Sequence, residues 1–178
     1  MSLPVQSYLF DRKISDLRMS LVKSTLGHIC FKNSSHTEDV NMATDLVPSI
    51  EIGRLAVRVR NNSALKYVGE ITMRFGRVTT PSTEFRKICD GNASHMFYAI
   101  MNSSGSAFYW WVLVDLNRFR QRIGANPALL NSFTIIPNKD RQSCFMAIPL
   151  NLIPDCVVHS SIYLENIMKE KILEAACP

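Results

Sequence analysis

The sequence predicts an α+β fold: a β-rich core of antiparallel hairpins, an N-terminal amphipathic helix, a short middle helix and a C-terminal helix. Three observations lead there. Apolar and polar residues alternate at period two in several runs between Leu55 and Ile148, with clusters of turn formers between the runs. Near both ends of the chain the apolar residues instead recur at helical spacing. Hydrophobic residues make up 47% of the 178 positions, enough to build a core without disulfides or a metal.

Taken in order, residues 1–13 are expected to form an arm. It carries an apolar triplet, Tyr8, Leu9 and Phe10, suited to docking into a groove on a neighbouring copy. A helix is predicted over 14–27, where Ile14, Leu17, Leu21 and Val22 share a stripe and Gly27 supplies a stop. The polar stretch from Lys32 to Pro48 reads as a hinge, which divides the chain into an arm-and-helix region, 1–48, and a core domain, 49–178.

The core opens with Ile50–Arg60, where Leu55, Val57 and Val59 alternate with Ala56, Arg58 and Arg60. After the turn formers Asn61 to Ala64 the alternation resumes over Lys66–Val78, so these two runs are expected to pair as a hairpin. Thr80 and Pro81 look like the cap and first residue of a short helix ending before Gly91. Met96–Met101 and Phe108–Leu116 flank a loop containing Gly105 and make a second hairpin. The run from Phe108 to Val114 is apolar on both parities, which calls for a strand covered on both faces. The basic segment Asn117–Ile123 is helical or irregular. Ser132–Ile136 and Cys144–Ile148 form a third hairpin around Pro137 to Arg141, and a terminal helix is expected from Ser161.

Twenty Lys and Arg stand against 15 Asp and Glu, a net charge of +5, which favours polyanionic partners. On the hairpin reading, Arg54, Arg58 and Arg60 share one parity and Lys66 and Arg74 the polar parity of the next strand, so all five project from one face. Arg118, Arg120 and Arg122 recur at every second position: on one side of an extended segment, or over an arc of about 200° of a helix. Arginine suits phosphate because its planar fork binds two oxygens at once. These eight residues are the candidate nucleic-acid or anionic-lipid contacts, and Tyr8, Leu9 and Phe10 the candidate self-association contacts.

The five cysteines, Cys30, Cys89, Cys144, Cys156 and Cys177, are scattered without a CxxC pair, which suits a reducing compartment. The first residues have no secretory pattern, and the longest apolar run, Ala107 to Val114, falls well short of the ~20 residues of a spanning helix. No P-loop, GxGxxG, GxSxG, HExxH or EF-hand pattern occurs. His28, Cys30 and His36 are close in sequence but match no zinc spacing. A protein without catalytic residues, cofactor, metal or small-molecule substrate is therefore expected.

The order of basic helical arm, hinge and basic β-rich core resembles the matrix proteins of rhabdoviruses, the smaller plant-infecting, cytorhabdovirus-like members in length. The strand Tyr67-Val-Gly-Glu-Ile-Thr-Met-Arg-Phe75 is similar to strands of those cores. Met96-Phe-Tyr-Ala-Ile-Met, then Ser103-Ser-Gly-Ser-Ala and Trp111-Val-Leu-Val-Asp115, are similar to their late hairpin. The resemblance implies a viral structural protein of the virion and host cytoplasm, peripheral to membrane and not secreted. It further implies self-association, contact with the viral nucleocapsid and its RNA, and contact with an anionic membrane. The chain departs from the animal-virus pattern in having no Lys-rich start and no PPxY or PTAP motif, so recruitment of host budding machinery is not implied. The alternative is a single-stranded nucleic-acid binder of the movement-protein or silencing-suppressor type with a β-barrel or jelly-roll core. That reading predicts exposed aromatics around Phe108–Trp111.

Overall fold

The computed structural model describes residues 3–33, 46–48, 52–77, 83–138 and 142–161. The chain divides into two compact units, Met1–Ile52 and Gly53–Pro178. Both helices and sheets are present, so the α+β class expected from the sequence is correct.

The first unit contains helix α1, Leu3–Cys30, and a short antiparallel pair, β1 (Phe31–Asn33) and β2 (Leu46–Pro48). The helix is longer at both ends than its apolar stripe indicated. Residues 3–13, expected as a separate arm, are helical, and Pro4 is accommodated in the first turn, where its missing N–H costs nothing. Gly27 does not stop the helix; an interior glycine costs about 1 kcal/mol, which a long helix tolerates. Val22 is buried and Leu17 is 57% exposed, so the stripe is only partly covered.

The second unit is built on two sheets. In the first, the order is β3 (Leu55–Arg60), β5 (His95–Met101), β6 (Phe108–Asp115) and β9 (Val157–Ser160). In the second, it is β4 (Glu70–Arg77), β8 (Ser143–Pro149) and β7 (Thr134–Pro137). The β5–β6 and β7–β8 hairpins are antiparallel as expected.

The first expected hairpin is not formed. Strand β3 pairs in parallel with β5, Leu55 opposite His95, while β4 pairs with β8 in the other sheet. Between β3 and β4 the chain makes a 3-10 turn, Asn62–Tyr67, and Gly69 takes a positive φ of 83°. That left-handed residue redirects the chain instead of folding β4 back on β3.

Helix α2, Glu84–Cys89, is capped by Thr83, whose hydroxyl accepts from the Arg86 amide. The cap expected at Thr80 and Pro81 lies outside the described residues, as does the expected C-terminal helix after Ser161. Helix α3, Leu116–Ala125, starts directly at the end of β6. The Asp115 carboxylate accepts from the amides of Asn117 and Arg118, satisfying two donors that a helix start leaves open.

The core joins Met96, Tyr98, Trp110 and Val112 of the first sheet to Ile71, Met73 and Met146 of the second, with Phe119 of α3. Each such large apolar side chain contributes about 1.5–3 kcal/mol by leaving water. All of β5 is buried, Phe97 and Ala99 on one face as fully as Tyr98 and Ile100 on the other. Strand β6 is fully buried at Trp110 and from Val112 to Val114, in keeping with a central strand, although Tyr109 is 55% exposed. Thr72 Oγ1 and Tyr98 OH, 2.9 Å apart and buried, tie β4 of one sheet to β5 of the other.

Candidate anion-binding surface

The eight basic candidates fall into separate places. Arg58 and Arg60 lie opposite Tyr98 and Ile100 in the parallel ladder, so their parity of β3 shares the face that carries the core. The polar parity of this strand is therefore not a solvent face, and all six of its residues are half-buried. The apparent alternation misled because the strand is at a sheet edge, where long arginine stems run along the core and bring their heads to its rim.

At that rim Arg58 donates to the carboxylate of Glu84, the first residue of α2. The same Glu84 oxygen accepts from the Arg74 backbone N–H at 3.0 Å. One carboxylate thus clasps β3 of the first sheet to β4 of the second. Burial lowers the Arg58 pKa from its ordinary value; the Glu84 charge raises it, and the Arg60 and Arg74 charges lower it again. Burial likewise raises the pKa of Tyr98, against its Thr72 hydrogen bond and the nearby Arg60 and Arg58. Arg58 Nε is buried and has no hydrogen-bond partner among the described residues. Of the five residues expected on one hairpin face, Arg60 and Arg74 lie within electrostatic reach of Arg58, but from two sheets and not from one hairpin.

Arg54 and Lys66 are not part of this group. Arg54 precedes β3 and is exposed, and its backbone carbonyl accepts from the Ser94 and His95 amides. Lys66 is in the 3-10 turn, with its ammonium 5.0 Å from the Tyr67 ring centroid, at cation–π distance.

Arg118, Arg120 and Arg122 belong to α3, so they do not line up on one side. Arg120 turns inward: Nη1 donates to the carbonyls of Ile88 at 2.9 Å and Ala93 at 3.0 Å, and Nη2 to the Asn117 side chain. Its guanidinium is thereby tied to the C-terminal end of α2. Arg118 and Arg122, one turn apart, converge on Asp155. Arg118 donates to its carbonyl at 3.1 Å, and Arg122 to its carboxylate at 2.6 Å. They line an open cleft of about 700 Å³ with Gln121, Ala125, Asn126 and Asp155.

Tyr8, Leu9 and Phe10 lie on the helical backbone of α1. Among the aromatics of β6, Trp111 stacks on Phe97 and lies 5.4 Å from the His159 ring. Among the described residues no three His, Cys, Asp or Glu side chains gather to hold a metal; His36 lies outside them. No helix among them is long and apolar enough to cross a membrane.

The sequence reading missed Glu84 and Asp155, the acids that decide which arginines are engaged. Glu84 had a local signal, an acid in the first turn after a Thr, Thr83. Asp155 meets α3 only through tertiary structure and had none. No known protein family, curated protein or solved structure matches the chain.

Proposed function

We propose that this chain is a structural protein of the viral matrix type that self-associates and bridges a ribonucleoprotein to an anionic membrane. The observation that carries this reading is the grouping of Arg60 and Arg74 within electrostatic reach of Arg58, whose guanidinium holds the Glu84 carboxylate. Arg60 and Arg74 act on Arg58 by charge while the one carboxylate at hand is held by Arg58, which favours a local positive excess, the property that draws a protein to a polyanionic surface. Leu17 and Met19, exposed on α1, support a role for that helix in self-association alongside Tyr8, Leu9 and Phe10.

Flotation of the full chain with vesicles tests the membrane half. Binding to phosphatidylserine-containing vesicles, none to pure phosphatidylcholine, and loss with added salt are expected. Salt-insensitive or absent binding refutes it. Sedimentation velocity of a variant with Tyr8, Leu9 and Phe10 all changed to alanine tests the assembly half, since alanine keeps the helix. Unchanged association would reject these residues as the contact.

A second reading, binding of single-stranded nucleic acid, draws on the exposed Tyr109 and the half-buried Trp111 beside His159. Quenching of Trp fluorescence by an oligonucleotide that Tyr109→Ala abolishes would favour it over the first.

A further inference from the structure

The geometry points to a phosphomonoester site formed by Arg58, Arg60 and Arg74, in which the Glu84 carboxylate is a built-in competitor for the incoming anion. The inference rests on the anion-binding reading above and names its ligand class and its regulation. Glu84 marks where an anion sits. Its carboxylate holds the Arg58 guanidinium and the Arg74 N–H at once, so a centre of negative charge is already accommodated between the two sheets. Arg60 follows Arg58 by two residues on the same face of β3. Arg74 is exposed at the β4 edge of the second sheet.

The charges do not balance there. A carboxylate carries one negative charge, whereas a phosphomonoester carries about −1.5 to −2 near pH 7 and presents three acceptor oxygens. Those oxygens suit guanidiniums within electrostatic reach of one another, as Arg60 and Arg74 are of Arg58, since guanidiniums bind phosphate in forked pairs. A compact cluster of this kind fits one terminal phosphate better than a nucleic-acid strand, whose singly charged diesters are strung out along a backbone. Either a free phosphate or a lipid headgroup with a terminal phosphate supplies that chemistry.

Calorimetric titration of the full chain with inorganic phosphate, at constant ionic strength, tests the site. Glu84→Gln removes the competing charge and should tighten phosphate binding about fivefold, the effect of roughly one charge contact. Arg60→Gln and Arg74→Gln should each weaken it by about the same factor. Because Glu84 also joins the sheets, thermal melts accompany that variant. Arg74→Gln retains the backbone donor to Glu84 and stands as the independent test. Flotation with vesicles containing phosphatidic acid, against phosphatidylserine, tells a headgroup from free phosphate. Wild-type preference for phosphatidic acid assigns the headgroup, and phosphate binding without that preference assigns the free ion. Unchanged or weaker binding in Glu84→Gln, or unchanged binding in both arginine variants, overturns the inference. If those variants fail to respond while the wild type still floats with phosphatidylserine, the site is wrong and the matrix reading survives. If the wild type binds no anion at all, both fall.

Discussion

Arg120 gives the sharpest separation between a charge that binds partners and a charge that holds the fold. Its guanidinium donates to the carbonyls of Ile88 and Ala93, from α3 to the end of α2. Hydrogen bonds from charged donors contribute about 1.5–3 kcal/mol each when well made. Here one Nη1 is shared between two carbonyls, the residue is half-buried, and the Ile88 carbonyl keeps a second partner in the Gly91 N–H. The loss on Arg120→Ala is therefore set near the low end, about 2 kcal/mol. For a chain of this size that corresponds to a Tm lower by roughly 4–8 °C. Urea denaturation should show the midpoint falling with m unchanged. Arg120→Lys keeps the charge but replaces the fork with a point charge, and should be destabilised nearly as much. The comparison is Arg118→Ala, whose side chain is 63% exposed and pairs with Asp115 at 3.6 Å. Such surface pairs contribute about 0–1 kcal/mol. Equal stability of Arg120→Ala and wild type, or an equal loss in Arg118→Ala, refutes the assignment of Arg120 as a structural clip.

Other outcomes follow from the same geometry. Asp115→Ala removes the α3 cap and should cost about 1 kcal/mol by urea denaturation, with Asp115→Asn retaining most of it. Thr72→Val and Tyr98→Phe each leave a buried hydroxyl unpaired and should cost about 1–3 kcal/mol, while the double variant loses less than the sum; a double-mutant cycle measures the coupling. Burial, and then Asp155, push the Cys156 thiol up to about 11, so in the native chain this buried thiol should be alkylated more slowly at mildly alkaline pH than Cys89, which is exposed although burial and Asp90 raise its thiol too; peptide mapping of the alkylated chain distinguishes them. A raised thiol pKa means the folded state keeps a proton that the unfolded chain releases. The Cys156 contribution to stability is thus intact below pH 9 and lost as pH rises toward 11, a slope that Cys156→Ala should remove. A Cβ at Gly76 would lie 2.7 Å from Cys144 Sγ, so Gly76→Ala should cost about 1–3 kcal/mol and be partly relieved by Cys144→Ala.

The parts of the fold that were legible in the sequence are those fixed locally. The loop between β5 and β6 is closed by its own residues. The Asn102 side chain accepts from the Ser106 and Ala107 amides, and Gly105 supplies a φ of +72°. Turn chemistry of this kind names both strands of a hairpin. The pairing of β3 with β5 joins residues about forty apart, Leu55 with His95, and nothing near either strand announces it. Alternation shows that a strand has two unlike sides. It does not say which strand lies beside it, nor whether an arginine side meets water or the rim of a core. In α1 the limit was different, since an apolar stripe reports the packed part of a helix and not where the helical backbone ends.

The same limit governs the candidate site. Counting arginines gave Arg58–Arg60 and Arg118–Arg122 equal standing, because spacing carries the positive charge but not its neutralisation. In the fold each α3 arginine meets an acceptor: Arg120 two backbone carbonyls, Arg122 the Asp155 carboxylate, Arg118 the Asp155 carbonyl and the Asp115 charge. An anion arriving there has to compete with bonds already made, whereas at the β3–β4 rim the Glu84 carboxylate engages the guanidinium of Arg58 alone, with the charges of Arg60 and Arg74 nearby. The steepness of salt dependence counts the cations that engage an anion, so it provides the comparison. Neutralising Arg60 and Arg74 should flatten the salt dependence of anion binding, and neutralising Arg118 and Arg122 should leave it nearly unchanged. The opposite ranking would place the functional charge on α3 and return Arg58, Arg60 and Arg74 to the role of structural charges around Glu84.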